Sequence, residues 1–197
     1  SISLFTAVSG TTYTFNVTPS AQGAVTIDVA DGVALDAAGN GNIAAAQLTS
    51  IYDNIAPTAT ISTTASNPSR TSPIPVTVVF SEIMTGFASG DVTIGNGSIS
   101  LFTAVSGTAY TFNVTPSAQG AVTIDVPAGV ALDAAGNGNT AADQLSRTYD
   151  SVAPTATIST TAPDPTNAVI PVTVTFNEAV TGFTSVDVVV VNGAVGA

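Results

Sequence analysis

Alternating apolar and polar residues predict short β-strands through most of this chain. In three stretches the apolar side chains occupy every second position, and Thr, Asn or Asp stands at all but one of the positions between them. Those stretches contain Val76, Val78 and Phe80, then Tyr110, Phe112 and Val114, and then Val122, Ile124 and Val126. Shorter strands are predicted at residues 59–63, 91–94, 98–105 and about 139–149.

Turn-forming pairs separate the predicted strands, and no segment shows a sustained helical period. Examples are Asn67-Pro68, Asn96-Gly97 and Ser106-Gly107. Seven short, half-buried strands in about 97 residues predict an all-β fold, an antiparallel β-sandwich of the immunoglobulin (Ig) type. Fibronectin-like and cadherin-like topologies fit the same pattern. The predicted core contains the aromatic residues Phe80, Phe87, Phe102, Tyr110 and Phe112.

The chain repeats itself with a period near 97 residues. Residues 1–53 reappear as residues 98–150 with only eight substitutions. Residues 56–92 match residues 153–188, which are one residue shorter in a loop. The eight substituted pairs are Thr12/Ala109, Ala30/Pro127, Asp31/Ala128, Ile43/Thr140, Ala46/Asp143, Thr49/Ser146, Ser50/Arg147 and Ile51/Thr148.

This period is typical of one small domain, so we predict tandem Ig-like sandwiches of about seven strands each. Residues 1–53 would be the C-terminal half of one repeat, residues 54–150 a complete repeat, and residues 151–197 the N-terminal half of the next. We therefore expect the chain to be a window on a longer tandem array.

The composition excludes most catalytic chemistry. The chain has no Cys, no His and no Trp, and its only cationic side chains are Arg70 and Arg147, against 13 acidic ones. Without imidazole, thiol or lysine amine, the usual bases and nucleophiles are missing, and we predict that the protein is not an enzyme. A net charge of −11 disfavours binding to nucleic acid or to anionic membranes. No apolar run approaches the length of a membrane span, so we expect no membrane insertion in this segment.

The acidic residues are placed where an antiparallel sandwich would gather them at one end. Tracing the strands brings four carboxylates and one amide to the start of the complete repeat, namely Asp53, Glu82, Asp91, Asp133 and Asn137. Two carboxylates about 4 Å apart repel by roughly 4 kcal/mol at an effective dielectric constant of 20. Carboxylate and carbonyl oxygens are the ligands that Ca²⁺ prefers, so this junction is a predicted structural Ca²⁺ site.

The same pattern recurs along the chain. Asp150, Glu178 and Asp187 are the predicted metal ligands of the next junction, and Asp36 belongs to an earlier one. A second interpretation of residues 133–137 is a tight turn in which the Asp side chain caps backbone amides. Spacing alone leaves both interpretations open.

Several motifs together resemble the bacterial Ig-like (Big) repeats of very large surface adhesins. They are Ala56-Pro57-Thr58, Val-Phe-Ser-Glu at residues 79–82, Thr-Gly-Phe at residues 85–87, Tyr110-Thr-Phe, Asp-Ala-Ala-Gly-Asn at residues 133–137 and Tyr149-Asp150. The resemblance implies a secreted stalk on the bacterial cell surface, with neighbouring repeats as partners. It also implies Ca²⁺ at the domain junctions, and Asp53, Glu82 and Asp133 stand at the matching positions.

Three functions are compatible with the sequence. The near identity of the copies favours a structural extender whose value lies in the number of repeats. An alternative is a subunit of an extracellular filament or sheath in which identical chains complete each other's domains. A carbohydrate-binding or protein-binding module is the third, and it predicts variable loops or exposed aromatic residues that the copies do not show.

Overall fold

A computed structural model describes residues 1–194 and shows an all-β chain. Two short 3₁₀ turns, Ser89–Asp91 and Ser185–Asp187, accompany the strands. The strands in chain order are β1 (Ile2–Ala7), β2 (Tyr13–Val17), β3 (Gly23–Ile27), β4 (Leu48–Tyr52), β5 (Ala59–Ser62), β6 (Ile74–Phe80), β7 (Thr93–Gly95), β8 (Gly97–Ala104), β9 (Ala109–Pro116), β10 (Gly120–Asp125), β11 (Leu145–Tyr149), β12 (Ala156–Thr160) and β13 (Val172–Phe176). Within residues 1–194 no helix is long and apolar enough to cross a membrane.

Residues 54–150 contain the predicted seven strands, arranged in two antiparallel sheets. One sheet has the order β5-β6-β9-β8 and the other the order β11-β10-β7. Alternation places Val78 and Val114 of the first sheet, and Val122 and Ile124 of the second, in a common core without solvent exposure. The all-β sandwich prediction is confirmed.

An aromatic cluster fills one part of this core and joins the two halves of the repeat. The ring of Phe87 lies 5.0 Å from Phe80 and 4.9 Å from Tyr110, centroid to centroid, both edge to face. The ring of Phe102 stacks on Phe112 at 6.0 Å. Edge-to-face and offset pairs of this kind add to the free energy gained by burial. Phe80 and Phe87 precede β8, whereas the other three rings come from β8 and β9.

The predicted starts of two strands are wrong, because hydrogen bonds hold the preceding residues in a turn or a loop. Residues 89–91 form a 3₁₀ turn, since the Oδ2 atom of Asp91 accepts the Ala88 N–H at 2.8 Å, and β7 begins only at Thr93. Residues 139–144 precede β11 as a loop, in which the Ala142 N–H donates to the Val126 carbonyl oxygen at 3.0 Å.

The repeated sequences form the same hairpins in every copy. In β1–β2 Ile2 is opposite Val17, as Ile99 is opposite Val114 in β8–β9. The pairs β3–β4 and β10–β11 also share one register, and so do β12–β13 and β5–β6. Local sequence therefore specifies the hairpins. The chain divides into two compact units, Ser1–Asp150 and a second that begins at Ser151.

Candidate metal centre

The loop between β10 and β11 holds one carboxylate in a fixed, buried position. Asp133 is only 5% exposed, and its Oδ1 accepts the backbone N–H groups of Ala135 and Asn137, both at 2.8 Å. Its Oδ2 accepts the Asn137 Nδ2–H at 2.9 Å. Gly136 takes a positive φ of 93°, which the tight turn requires. The tight-turn interpretation thus describes the local structure, and it also fixes the carboxylate.

A second residue of this loop, Asn139, holds the loop backbone in place through its side-chain hydrogen bonds. Its role was not predicted from the sequence. It is 2% exposed, and its Oδ1 accepts the N–H groups of Val130 and Ala131 at 3.0 Å each. Its Nδ2 donates to the carbonyl oxygens of Pro127 and Thr140 at 2.8 Å each. The signal that could have revealed it is the repeated Gly-Asn-Gly-Asn, because Asn42 makes three of the four equivalent bonds in the other copy.

Two further carboxylates lie beside Asp133. Glu82 follows the end of β6, and Asp53 follows the end of β4, where the chain passes into the complete repeat. Both are half-buried. One carboxylate oxygen from each of the three residues lies within 4.8 Å of the other two. The structure therefore brings together three of the predicted ligands, which we call the acidic triad.

Hydrogen bonds fix the segment that contains Asp53 on both sides. Gln22, in the β2–β3 loop, donates its Nε2–H to the Asp53 carboxylate and accepts the Asn54 N–H at 3.0 Å. On the other side, Asn137 donates its Nδ2–H to the Asp53 carbonyl oxygen at 3.3 Å. Residues 1–53 and the complete repeat thus meet at the triad. Gln22 was not singled out from the sequence, because its role depends on this long-range contact.

The side chains of two predicted ligands make hydrogen bonds that give them other roles. Asp91 does not belong to the triad, because its carboxylate closes the 3₁₀ turn at Ala88. Asn137 lies at the site, but its Nδ2 donates hydrogen bonds to Asp133 and Asp53, so that atom positions the ligands. An N–H donor cannot bind a cation.

The remaining predicted ligands repeat these local structures. Asp36 accepts hydrogen bonds from Ala38 and Asn40, as Asp133 does in its own turn. Asp187 accepts the N–H and O–H of Thr184, both at 2.9 Å, as in the turn at Asp91. Asp150 and Glu178 fall in different units of the chain, and their predicted junction with Asp187 stays a prediction.

A family profile of the bacterial Ig-like domain matches residues 53–149 and again residues 150–197. The chain belongs to the bacterial Ig-like domain family. No curated protein and no solved structure gives a significant match to it.

Bacterial Ig-like domains are typical of surface proteins, and the family matched here is not a catalytic one. The resemblance drawn from the sequence is confirmed. The predicted domain limits at 53/54 and 150/151 stay a prediction, although each matched range begins one residue before the predicted start.

The donor chemistry of the triad suits a hard divalent cation. Its three ligand atoms are carboxylate oxygens, and the chain has no His or Cys that could bind a softer metal. Arg147 does not neutralise the site, because its Nε and Nη1 atoms donate to the carbonyl oxygens of Ala65 and Ser146. A calcium ion therefore fits the residues that are present.

Hydrogen bonding keeps Asp133 ionised. Burial alone raises the pKa of its carboxyl group, but the N–H donors of Asn137, Ala135 and Gly136 outweigh that effect and hold the pKa below the ordinary 3.8. Because the folded pKa is depressed, the stabilisation by this ionised group is complete above about pH 4. It is lost as the pH falls through the folded pKa.

A carboxyl titration followed by NMR without divalent ions should show this directly. We expect the Asp133 carboxyl to titrate below 3.8, together with Asp36, whose pKa is lowered first by the Asn40 side chain. In Asn137→Ala the Asp133 pKa should rise, because two of its N–H contacts weaken or disappear. A midpoint at or above 3.8 in the unsubstituted protein would contradict this description of the turn.

Proposed function

We propose that this bacterial Ig-like chain is a non-enzymatic extender of a secreted surface adhesin or fibre, and that Ca²⁺ held by the acidic triad stiffens its joint. The observation that carries the proposal is the origin of the three carboxylates. Asp53 comes from the connecting segment, whereas Glu82 and Asp133 come from the body of the complete repeat. A cation bound by all three would join the connection to the domain.

Electrostatics supports a cation at this place. Three ionised carboxylates within 4.8 Å repel one another, and a bound divalent ion changes that repulsion into attraction. The Asp133 turn holds one ligand in place before any ion arrives, which reduces the conformational entropy lost on binding. Only Asp53 and Glu82 need to adjust.

We expect many such repeats to lengthen the array. β8 and β9 contain eight residues each, which correspond to roughly 26 Å at about 3.3 Å per residue. A flexible joint would let successive domains fold back, whereas a stiff one adds their lengths. The expected partners are neighbouring repeats of the same array, and the expected location is the bacterial cell surface or the extracellular space.

Distance measurements between two spin labels test the stiffening. The chain has no cysteine, so Thr26→Cys in β3 and Ser98→Cys in β8 place labels at two exposed positions on either side of the joint. We expect excess Ca²⁺ to narrow the distance distribution to about half its width in EGTA, because the triad fixes the connecting segment. Mixing the labelled protein with an excess of unlabelled protein ensures that the measured distances are between two labels in the same molecule.

A charge-neutral variant supplies the control. Glu82→Gln should retain the broad distribution at every calcium concentration, since it removes one of the three ionised ligands. If the unsubstituted protein shows equal widths in Ca²⁺ and in EGTA, the proposed function is wrong.

A further inference from the structure

Gln22 closes a pincer of two hydrogen bonds on the connection between the repeats. Its Nε2–H donates to Oδ1 of Asp53, and its Oε1 accepts the Asn54 N–H at 3.0 Å. The amide therefore holds a side chain and a backbone group of two successive residues. Because Asp53 belongs to the acidic triad, a side chain of residues 1–53 acts directly on one of the three candidate metal ligands.

The register of β3 and β4 places these two side chains beside each other. Gly23, at the start of β3, lies opposite Tyr52, at the end of β4. Gln22 and Asp53 are the next residues outward on the two antiparallel strands. Gly23 has a φ of 109°, a conformation that glycine adopts readily. Local strand pairing therefore brings Gln22 to the point where the chain leaves β4 and enters the connection.

The sequence encodes this arrangement a second time. Gln119 and Asp150 stand at the corresponding positions of the complete repeat, one residue beyond the pair formed by Gly120 and Tyr149. The loop and the strand that follow one another around the Gln are identical in the two copies, whereas all three positions before the Tyr-Asp pair are substituted. These substitutions are Thr49/Ser146, Ser50/Arg147 and Ile51/Thr148. The strand varies between the copies, but the Gln and the Asp at its end do not.

The oxygen atoms of Asp53 have separate partners. Its Oδ1 accepts hydrogen bonds from Gln22 and from the Ile55 N–H, the latter at 3.1 Å. Its backbone carbonyl oxygen accepts the Asn137 Nδ2–H at 3.3 Å. Within residues 1–194 these contacts use Oδ1 and the carbonyl oxygen, so Oδ2 can bind a cation without the loss of a hydrogen bond. The pincer and a bound ion can therefore act on Asp53 at the same time.

We propose that Gln22 is the positioning residue through which a Ca²⁺ ion at the triad fixes the preceding repeat as well as the connection. The inference rests on the proposed function, because the ion is taken to bind Asp53, Glu82 and Asp133. The ion holds the Asp53 side chain against the complete repeat, and Gln22 holds residues 1–53 against Asp53. Without Gln22, rotation about the backbone bonds of Asp53 would still let the two domains move.

The pincer and the ion reinforce each other because they order the same residue. Gln22 is exposed, and hydrogen bonds that water can replace contribute little by themselves, so the pincer opens often while Asp53 is mobile. Once an ion has fixed Asp53, the conformational entropy of that residue is already lost, and closing the pincer costs less. The coupling is reciprocal, so the closed pincer raises the affinity for Ca²⁺ by the same factor.

Gln22→Ala tests the inference without removing a carboxylate or changing the net charge. In calorimetric titrations we expect Ca²⁺ to bind this variant about three- to tenfold more weakly than the unsubstituted chain, because the ion alone must then order Asp53. With spin labels at Thr26→Cys and Ser98→Cys, the distance distribution should remain nearly as broad in excess Ca²⁺ as in EGTA. Retained binding with lost stiffening distinguishes a positioning residue from a metal ligand.

Gln47→Ala is the matched control. Gln47 donates its Nε2–H to both carboxylate oxygens of Asp28 at 3.0 Å each, so it makes a second Gln–Asp contact within residues 1–53. It is exposed like Gln22, but it precedes β4, whereas Asp53 follows that strand. Both the affinity for Ca²⁺ and the narrowing of the distance distribution should equal those of the unsubstituted chain.

The possible failures of the two proposals differ. Equal narrowing by Ca²⁺ in Gln22→Ala and in the unsubstituted chain would overturn the role of Gln22 and leave the proposed function intact. Equal loss of narrowing in Gln22→Ala and Gln47→Ala would also overturn it, since a contact away from the triad would then have the same effect. Absence of Ca²⁺ binding or of narrowing in the unsubstituted chain would contradict the proposed function, and the role of Gln22 with it.

Discussion

Replacing Asn139 by Ala should lower the free energy of unfolding of the complete repeat by about 3 kcal/mol. The side chain makes four hydrogen bonds inside the β10–β11 loop and is almost fully buried. Loss of the side chain leaves two N–H groups and two carbonyl oxygens without this partner. Each of these groups that water does not reach destabilises the folded state by about 1–3 kcal/mol. For a domain of this size, 3 kcal/mol corresponds to a fall in Tm of roughly 12–24 °C.

The equivalent substitution in the other copy is the matched control. Asn42→Ala removes three of the equivalent hydrogen bonds from a loop whose other residues are exposed, so that water replaces them. We expect it to change the main unfolding transition by less than about 0.5 kcal/mol. Urea unfolding of both variants measures the difference, and equal losses would show that burial does not determine the role of this Asn.

Excess Ca²⁺ should raise the Tm of the complete repeat by roughly 10–20 °C. A ligand at 100 times its Kd stabilises the folded state by about 2.7 kcal/mol, and each kcal/mol shifts the Tm of such a domain by about 4–8 °C. Glu82→Gln should abolish the rise, because the neutral amide no longer offsets the cation's charge. Glu82 is half-buried and follows a strand, so the metal-free variant should keep its fold.

Asp143→Ala separates binding at the triad from a general effect of charge. It also removes one carboxylate, but Asp143 is exposed, and the other copy has Ala46 at this position. Its Tm rise in Ca²⁺ should equal that of the unsubstituted protein. Calorimetry in Ca²⁺ and in EGTA measures all three proteins, and a rise retained by Glu82→Gln would place the ion elsewhere.

Strand alternation and topology predicted all three members of the acidic triad, together with Asp91, which is not a member. Alternation located β6 and β10, and antiparallel connections then put the residues after β6 and the β10–β11 loop at the end of the domain where the chain enters. That placement brings Asp53, Glu82 and Asp133 together, but it also put Asp91 at the same end, where the structure gives that carboxylate another role. The three carboxylates come together because of the fold, and the pattern of apolar residues strongly encodes that fold.

The errors came from local and long-range hydrogen bonds that a pattern does not reveal. Asp91 stands three residues after Ala88, and its carboxylate closes a turn there, so a strand prediction based on Val92 and Ile94 began too early. Asn139 looks like an ordinary loop residue in the sequence. Its importance comes from contacts with backbone groups up to twelve positions away.

The repeat also shows how burial differs from local structure. Tyr13 and Tyr110 have nearly identical neighbours in sequence and lie in strands of the same register. One is exposed and the other buried, because only Tyr110 is covered by Phe80 and Phe87. Sequence specifies the hairpin, and the packing partner decides whether its apolar face is hidden.

Isothermal titration calorimetry with Ca²⁺ tests the central claim most directly, namely that Asp53, Glu82 and Asp133 form a calcium site at the joint. The unsubstituted chain should show saturable binding that Asp143→Ala retains. Asp53→Asn, Glu82→Gln and Asp133→Asn should each weaken that binding at least tenfold. Absence of binding at millimolar Ca²⁺, or binding that all three substitutions leave unchanged, would contradict the account.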